Sequence, residues 1–228
     1  MTALQRSLLA EALGTAGLVL FATGAAVVNA QTGALGLGGV AAVSGLIVLV
    51  LIQLFGPISG AHVNPAVTVA FWAAGRFAGR RVLPYIGAQL GGALVGSALV
   101  RALFPASETL GATLPVLGIF EALGVETILT FWLVLLVLHV AHGSREQGLL
   151  AGLTIGAAVT LEILVGGPLS GGSMNPARSL APALVSGHLT GAWIYVVGPL
   201  AGALLAVATA NLLRSSETDS PDSVNSVK

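Results

Sequence analysis

The sequence predicts an all-α membrane protein with six transmembrane helices and two half-length helices arranged as an inverted repeat. Composition, the lengths of the apolar segments and a doubled motif support this prediction. Of the 228 residues, 55% are apolar and only 8% are charged, whereas soluble domains carry about a quarter charged residues. The lipid bilayer is therefore the expected partner of the chain. The absence of cysteine excludes disulfides and thiolate metal sites.

Six apolar segments have the length of a spanning helix, which needs roughly 20 mainly apolar residues. The weakly alternating pattern of a membrane β-barrel is absent, so helices are the better interpretation. The first segment has full spanning length, which favours a retained helix over a cleaved signal peptide. The predicted spans are Leu8–Val28, Leu37–Phe55, Val82–Leu103, Gly118–Val140, Leu149–Gly166 and Gly191–Leu213.

The two halves of the chain repeat each other. The pattern G-P-x-S-G-x-x-x-N-P-A begins at Gly56 and again at Gly167, and the pattern E-x-x-x-T-x-x-L-V-L begins at Glu11 and at Glu126. Each copy holds three spans, which is an odd number, so the second copy must enter the membrane from the opposite face. In inverted repeats of this kind, working sites tend to lie at the repeat interface near the membrane midplane.

Each N-P-A predicts the start of a half-length helix inside the membrane. The apolar runs that follow, Ala66–Ala74 and Ala177–Val185, are too short to span. Asn caps a helix well and Pro suits its first turn. Irregular backbone at membrane depth is tolerated where it lines a water-filled cavity or is buried in protein. The predicted central constriction comprises Asn64, Pro65, Ala66, Asn175, Pro176 and Ala177.

In an inverted repeat the two half-helix starts meet, and each contributes about half an elementary positive charge. The Asn amides remain available as donors, and the glycine-rich approaches let backbone carbonyls face a lumen as acceptors. Such a lumen passes neutral hydrogen-bonding molecules and repels cations, including hydronium. The carbonyls expected to line it belong to Gly60, Ala61, His62, Gly171, Gly172 and Ser173.

Basic residues predict the orientation in the membrane. With both termini cytoplasmic, Arg101 falls outside and seven basic residues fall inside, which follows the positive-inside rule. The channel domain is expected to cover residues 1–213, with repeat halves of about 1–110 and 111–213, and residues 214–228 predict a disordered cytoplasmic tail. The expected location is a bacterial inner membrane. The inside residues are Arg6, Arg76, Arg80, Arg81, Arg145, Arg214 and Lys228.

The doubled SGxxxNPA, the N-P-A-R-S at Asn175–Ser179 and the paired glutamates resemble the major intrinsic proteins, the aquaporin and aquaglyceroporin channels. The resemblance covers roughly Leu8 to Leu213. It implies a right-handed helical bundle, and a homotetramer in which each subunit has its own pore for water and small neutral solutes. It also implies that Glu11 and Glu126 hold the loop backbones. No cofactor, metal or nucleic-acid partner is expected, and no enzymatic activity.

The family has a second, narrower filter of four residues toward the outside. By the family's spacing these positions are Ser44, Ile163, Gly172 and Arg178. Water-selective members pair an aromatic residue with a histidine here, and glycerol facilitators stack two aromatics, so this chain departs from both. Its small and apolar set is similar to the nodulin-like intrinsic proteins of plants and their bacterial relatives, which admit boric, silicic or arsenous acid. The resemblance therefore implies a channel for glycerol or metalloid acids.

Two other interpretations stay open. One is a water-selective pore, and the other is a coupled secondary transporter, which shares inverted repeats and broken helices but needs an ionisable relay. Glu11, Glu126 and Glu162 are the acids that could serve as that relay. His62 is expected to line the lumen, whereas His139 and His142 are expected to lie at the membrane interface without binding metal.

Overall fold

The computed structural model describes residues 1–141 and 145–213, without the side chains of residues 145–148. The predicted tail and His142 therefore lie outside the described residues. Within these ranges the chain forms eight α-helices and a single-turn 3-10 helix, Gly79–Arg81. The helices are α1 (Ala3–Thr32), α2 (Gly36–Ser59), α3 (Pro65–Ala73), α4 (Val82–Leu103), α5 (Ile119–Val140), α6 (Arg145–Ser170), α7 (Pro176–Ser186) and α8 (Ile194–Leu212).

Six of these helices are long and apolar enough to cross a membrane, namely α1, α2, α4, α5, α6 and α8. The other two, α3 and α7, have 9 and 11 residues. At a rise of about 1.5 Å per residue, helices of that length reach roughly halfway through the hydrocarbon core. The predicted fold class, six spans and two half-length helices, is confirmed.

The second and fifth spans run further than the sequence predicts. Instead of ending near Phe55 and Gly166, α2 and α6 continue through Pro57 and Pro168. A proline in the last turn removes one backbone donor but leaves the rest of the helix intact. Each helix ends where a glycine takes the left-handed conformation, Gly60 at φ 90° and Gly171 at φ 92°, because glycine adopts positive φ without steric cost.

The two halves pack in equivalent ways. In the first half α1 packs against α4 and α2, and in the second half α5 packs against α8 and α6. The half-length helices exchange partners, because α3 packs on α8 and α7 packs on α4. The long contact between α2 and α6 joins the halves directly. The repeat inferred from sequence is thus a repeat of packing, and it places α3 and α7 end to end at the centre of the bundle.

Glycines allow the closest helix contacts. A Cβ added to Gly92 of α4 would lie 2.0 Å from the carbonyl oxygen of Ala12 in α1, and one added to Gly202 of α8 would lie 2.2 Å from Thr127 O in α5. At the seam between the halves, a Cβ on Gly45 would lie 2.2 Å from Gly156 O. Small residues at helix crossings let the backbones approach closely, which is how helices associate in lipid.

Gly92→Ala is expected to destabilise the bundle, because α1 and α4 must separate to admit the methyl group. Overpacking of this kind costs about 1–3 kcal/mol, so thermal unfolding of the detergent-solubilised protein should occur several degrees lower. The matched control is Gly91→Ala on the same helix, where an added Cβ meets nothing within 4 Å. Equal melting temperatures for the two variants would contradict this role of Gly92.

Candidate pore

The two half-length helices begin at the same place in the bundle, each capped by an asparagine. Asn64 Oδ1 accepts from the backbone N–H of Ala66 at 2.9 Å, and Asn175 Oδ1 accepts from that of Ala177 at 3.0 Å. Pro65 and Pro176 occupy the first helical positions, where a missing N–H costs little. The local sequence N-P-A therefore accounts for both helix starts.

The asparagine amides also tie the two half-length helices together. Asn64 Nδ2 donates to Met174 O at 2.8 Å, and Asn175 Nδ2 donates to Val63 O at 2.9 Å. An amide nitrogen carries two hydrogens, so each asparagine keeps one donor beyond this crossed pair of bonds. Both side chains belong to the lining of one internal cavity. The centre of the molecule thus presents two donors at two positive helix ends.

The loops before the half-length helices have an irregular backbone in both halves. In the first loop Gly60, Ala61 and Val63 have φ values of 90°, 47° and 41°. The second loop repeats this with Gly171 at 92°, Gly172 at 60° and Met174 at 54°. For a residue other than glycine, the left-handed conformation costs roughly 1–2 kcal/mol, so the surrounding structure must hold these loops in place.

Glu11 supplies that support in the first half. This fully buried side chain accepts hydrogen bonds through Oε1 from Ser59 Oγ (2.7 Å) and His62 N (2.9 Å), and through Oε2 from Val63 N (2.7 Å). Glu126 makes the corresponding bonds in the second half. Its donors are Ser170 Oγ at 2.7 Å, Ser173 N at 2.9 Å and Met174 N at 2.8 Å.

In each loop three backbone carbonyls accept no hydrogen bond from the described residues and are available to a solute, whereas the carbonyls on either side of them are bonded. In the first loop Tyr85 Oη donates to Ser59 O at 3.0 Å and Asn175 donates to Val63 O. In the second loop Tyr195 Oη donates to Ser170 O at 2.6 Å and Asn64 donates to Met174 O. The carbonyls between them accept no hydrogen bond from any residue in the described ranges. They belong to Gly60, Ala61, His62, Gly171, Gly172 and Ser173.

The first loop has an additional polar network around His62. Gln89 Nε2 donates both to Glu11 Oε2 (2.8 Å) and to Thr68 Oγ1 (2.9 Å), and Thr68 Oγ1 donates to Asn64 O (3.0 Å). Because the Thr68 hydrogen is used there, His62 Nδ1, 3.1 Å away, must be the donor to Thr68. In the neutral imidazole the other ring nitrogen, Nε2, is then an acceptor, and His62 lines the cavity.

Within the described ranges, two cavities follow one another along the bundle. The inner one extends from Ala141 and Ala151 past the two asparagines, and the outer one continues toward Asn29 and Leu37. The inner one has a volume of about 170 Å³ and the outer one about 350 Å³. The lining of the inner cavity combines the loops and the two asparagines with apolar residues, among them Leu18, Val48 and Val159. The residues common to both cavities are Ser44, Ile163, Gly172 and Arg178.

These four shared residues form an opening of mixed character. Arg178 donates through NH1 to Gly111 O at 3.0 Å. Its guanidinium is therefore held by a residue that is not one of the four. Ser44 Oγ donates to Val40 O of its own helix at 2.9 Å, which leaves an acceptor. Gly172 contributes backbone, and Ile163 contributes an apolar side chain. None of the four carries an aromatic ring that narrows the opening.

The acid on α6 and the histidine on α5 lie away from this lumen. Glu162 is 8% exposed, and its Oε2 has no hydrogen-bond partner in the part of the chain that the structure describes. It lines neither the inner nor the outer cavity. His139 is exposed in the last turn of α5, with Nδ1 2.7 Å from Leu135 O. Among the described residues no group of three or more His, Cys, Asp or Glu could hold a metal ion.

Sequence reasoning missed three residues that hold the pore in place. Gln89 is a lone polar residue in an apolar span, and such residues are costly unless they bond inside the bundle, so this signal was available. Gly111 and Thr113 lie in the irregular segment between α4 and α5, where Gly111 O accepts from Arg178 and Thr113 donates to Ser179. That segment has no periodicity and no counterpart in the repeat.

Comparison with known proteins gives consistent matches. The sequence model of the family described as Major intrinsic protein matches residues 1–209. The chain is 44% identical to Aquaporin NIP1-1 of Zea mays over 211 residues, covering 92% of this chain and 75% of the relative. It is 41% identical to Aquaporin NIP6-1 of Arabidopsis thaliana, covering 95% of this chain and 71% of the relative. The X-ray structure of the aquaglyceroporin from Plasmodium falciparum superposes with a TM-score of 0.81 at 26% identity, covering 92% and 96% of the two chains.

Proposed function

The chain belongs to the major intrinsic protein family, and on that premise we propose that it is a passive membrane channel for water and small uncharged solutes. One observation carries the proposal: two cavities meet at Ser44, Ile163, Gly172 and Arg178, and the inner one reaches the paired asparagines. This arrangement supports a path along which a solute meets one polar group after another. The family consists of channels, not enzymes.

The unpaired loop carbonyls and the asparagine donors offer a permeating solute two different kinds of hydrogen bond. A solute that sheds water can replace those hydrogen bonds with the free carbonyls along each loop, and then with the spare N–H groups of Asn64 and Asn175 at the centre. Because the donors stand at two positive helix ends, a cation gains no acceptor there and meets positive potential. The apolar residues that line the inner cavity, such as Val48 and Val159, offer no hydrogen bonds to water. Neutral hydroxyl compounds can donate hydrogen bonds to the loop carbonyls and accept them from the asparagines, and they carry no positive charge for the helix ends to repel.

The filter residues favour solutes larger than water, such as glycerol, boric acid or arsenous acid. In this proposal the hydroxyls of the solute bond to Arg178 and to the Gly172 backbone, while its less polar face passes Ile163. The space left by Ser44 and Gly172 supports this assignment over a water-selective pore, which needs bulk at those positions. The matched plant relatives carry the same class of name, aquaporin, and support the channel class.

A coupled transporter is the alternative from a different class, and the contacts of the buried acids argue against it. Glu11 and Glu126 each hold two loop N–H groups, so moving a proton onto either would disrupt the loop that it supports. Liposomes that contain the protein, loaded with and without a proton or sodium gradient, provide the test. A channel only equalises the solute concentration, and uphill accumulation driven by either gradient would overturn the proposal.

Arg178→Val is expected to preserve neutral permeation while raising proton or cation leak, because it removes the fixed positive charge between the two cavities. The leak is measured in liposomes with an internal pH dye under an imposed membrane potential. Arg80→Val is the matched control, since Arg80 is exposed on the 3-10 helix before α4 and lines neither cavity. An unchanged leak across a range of potentials would assign charge exclusion to the asparagines and helix ends alone.

The protein is an integral membrane protein. The cytoplasmic location of its termini and its assembly as a homotetramer are part of the proposal. The basic residues near the α3–α4 connection support cytoplasmic termini. Exposed leucines on the long helices, such as Leu46 at 59% and Leu161 at 63%, suit lipid or a neighbouring subunit. They support the proposal of a homotetramer with one pore per subunit. The matched relatives are plant proteins, so they do not support the bacterial membrane expected from sequence.

A further inference from the structure

The outer segment between α4 and α5, residues 104–118, reaches down to the filter and is anchored there. Leu110 is fully buried in an apolar cluster with Val27 and Val100, at φ 52°. Gly111 follows at φ 67°, and its carbonyl accepts from Arg178 NH1 at 3.0 Å. Two residues later, Thr113 Oγ1 donates to Ser179 Oγ of α7 at 2.6 Å. The segment therefore contacts both the guanidinium of Arg178 and the side chain of Ser179, the next residue.

The hydroxyls at this contact form a chain with a single direction. Ser173 Oγ donates to Asn175 O at 2.9 Å, so its one hydrogen is used. Ser173 Oγ and Ser179 Oγ are also hydrogen-bonded, and Ser179 must then be the donor. Thr113 in turn donates to Ser179. The chain runs from Thr113 through both serines to the carbonyl of Asn175, and each hydroxyl hydrogen has one acceptor.

We propose that Thr113 is a positioning residue that sets the solute selectivity of the pore. Its hydroxyl ties the outer segment to α7, and this tie keeps Gly111 O against Arg178. The segment is also attached to α6, where Val116 N and Leu117 N both donate to Leu169 O, at 3.3 and 3.1 Å. Those bonds hold the end of the segment near α5, three residues or more from Thr113. Leu110 holds the other side of Gly111 through its apolar cluster, so Thr113 supplies the side-chain hydrogen bond from this stretch to α7. The inference rests on the proposed function.

Loss of the Thr113 hydroxyl should change selectivity more than water flux. When Gly111 O no longer holds the guanidinium, Arg178 can turn into the opening that it shares with Ser44 and Ile163. A narrower opening excludes a larger solute before it excludes water. The loss of one buried hydrogen bond corresponds to a change of about fivefold in an equilibrium, so the ratio of glycerol to water permeability in Thr113→Val should fall by about that factor.

The experiment compares three threonine variants in liposomes by stopped-flow light scattering, with glycerol and water as probes and proton leak as a second readout. Thr113→Ser keeps the hydroxyl and should retain the parent ratio. Thr154→Val is the matched control, because Thr154 Oγ1 also donates a hydrogen bond, to Leu150 O, but lines neither cavity. A parent-like ratio and leak in correctly inserted Thr113→Val would overturn the inference.

A glycine pair tests the same idea without touching the hydroxyl chain, and serves if Thr113→Val inserts poorly. Gly111 and Gly33 both have φ 67°, but a Cβ on Gly111 would lie 2.5 Å from Thr23 O, whereas one on Gly33 meets nothing within 4 Å. Gly111→Ala should therefore displace the carbonyl that holds Arg178 and lower the ratio, while Gly33→Ala should not. Equal ratios in these two would also overturn it. A parent that passes water but no glycerol, boric acid or arsenous acid would instead contradict the proposed function, and this inference with it.

Discussion

Replacing Asn64 or Asn175 with aspartate is expected to reduce neutral-solute flux by at least about fivefold. The Nδ2 of each asparagine donates across the centre of the pore, to Met174 O at 2.8 Å and to Val63 O at 2.9 Å. An aspartate oxygen in that place faces another acceptor and loses the donor that serves the solute. Leaving buried polar groups unpaired costs about 1–3 kcal/mol, which is roughly fivefold to 150-fold in rate.

The measurement is solute-driven volume change of liposomes in a stopped-flow instrument, after the amount of inserted protein has been matched. Asn211→Asp provides the control for the added charge, since Asn211 is exposed at the end of α8. That variant should conduct like the parent. If the Asn64→Asp and Asn175→Asp variants both insert normally and conduct at the parent rate, the asparagine donors are not the central constriction.

The second large effect is expected at the filter, where Ser44→Phe combined with Ile163→His should shift the pore toward water. The phenyl ring fills the space that Ser44 leaves, and the imidazole adds a polar donor to the apolar side of the opening. A ring of this size closes the passage to a three-carbon solute but leaves room for water, so the ratio of glycerol to water permeability should fall by about tenfold or more.

Single variants separate the contributions of bulk and polarity, and Leu46→Phe controls for a larger residue on the same helix. Leu46 is 59% exposed and lines neither cavity, so its replacement should leave the ratio unchanged. A double variant with the parent ratio would mean that Ser44 and Ile163 do not face the permeation path in the working channel, and the filter would have to be sought elsewhere.

Local sequence predicts the half-length helices because their signals are short-range. Asn64 and Pro65 cap and start α3 with bonds inside three residues, and Asn175 and Pro176 do the same for α7. The glutamates could be predicted because Glu11 and Glu126 recur at matching places in the repeat, which indicates a common task. The family spacing predicts the four filter residues, and the structure brings those four together at the junction of two cavities.

The contacts of the outer segment, residues 104–118, could not be predicted, because they are long-range and leave no local signal in the sequence. Gly111 and Thr113 act through contacts to residues more than sixty positions away, Arg178 and Ser179. Nothing in the irregular stretch around them is periodic, and the connection between α4 and α5 joins the two repeats and so has no second copy. The sequence also ends α2 and α6 too early, before Pro57 and Pro168, because a proline in the last turn removes one hydrogen bond without ending the helix.

The solute range of the unmodified protein decides between a wide channel and a water-selective one. Liposomes containing the protein are mixed in a stopped-flow instrument with sucrose to measure water permeability, and with glycerol, boric acid or arsenous acid to measure solute entry, against protein-free liposomes. We expect modest water flux and solute entry well above the protein-free rate for at least one of the three, because Ser44 and Gly172 leave space beside Arg178. Fast water flux with none of the three solutes entering above the protein-free rate would contradict the wide filter, and the chain would then be a water-selective channel.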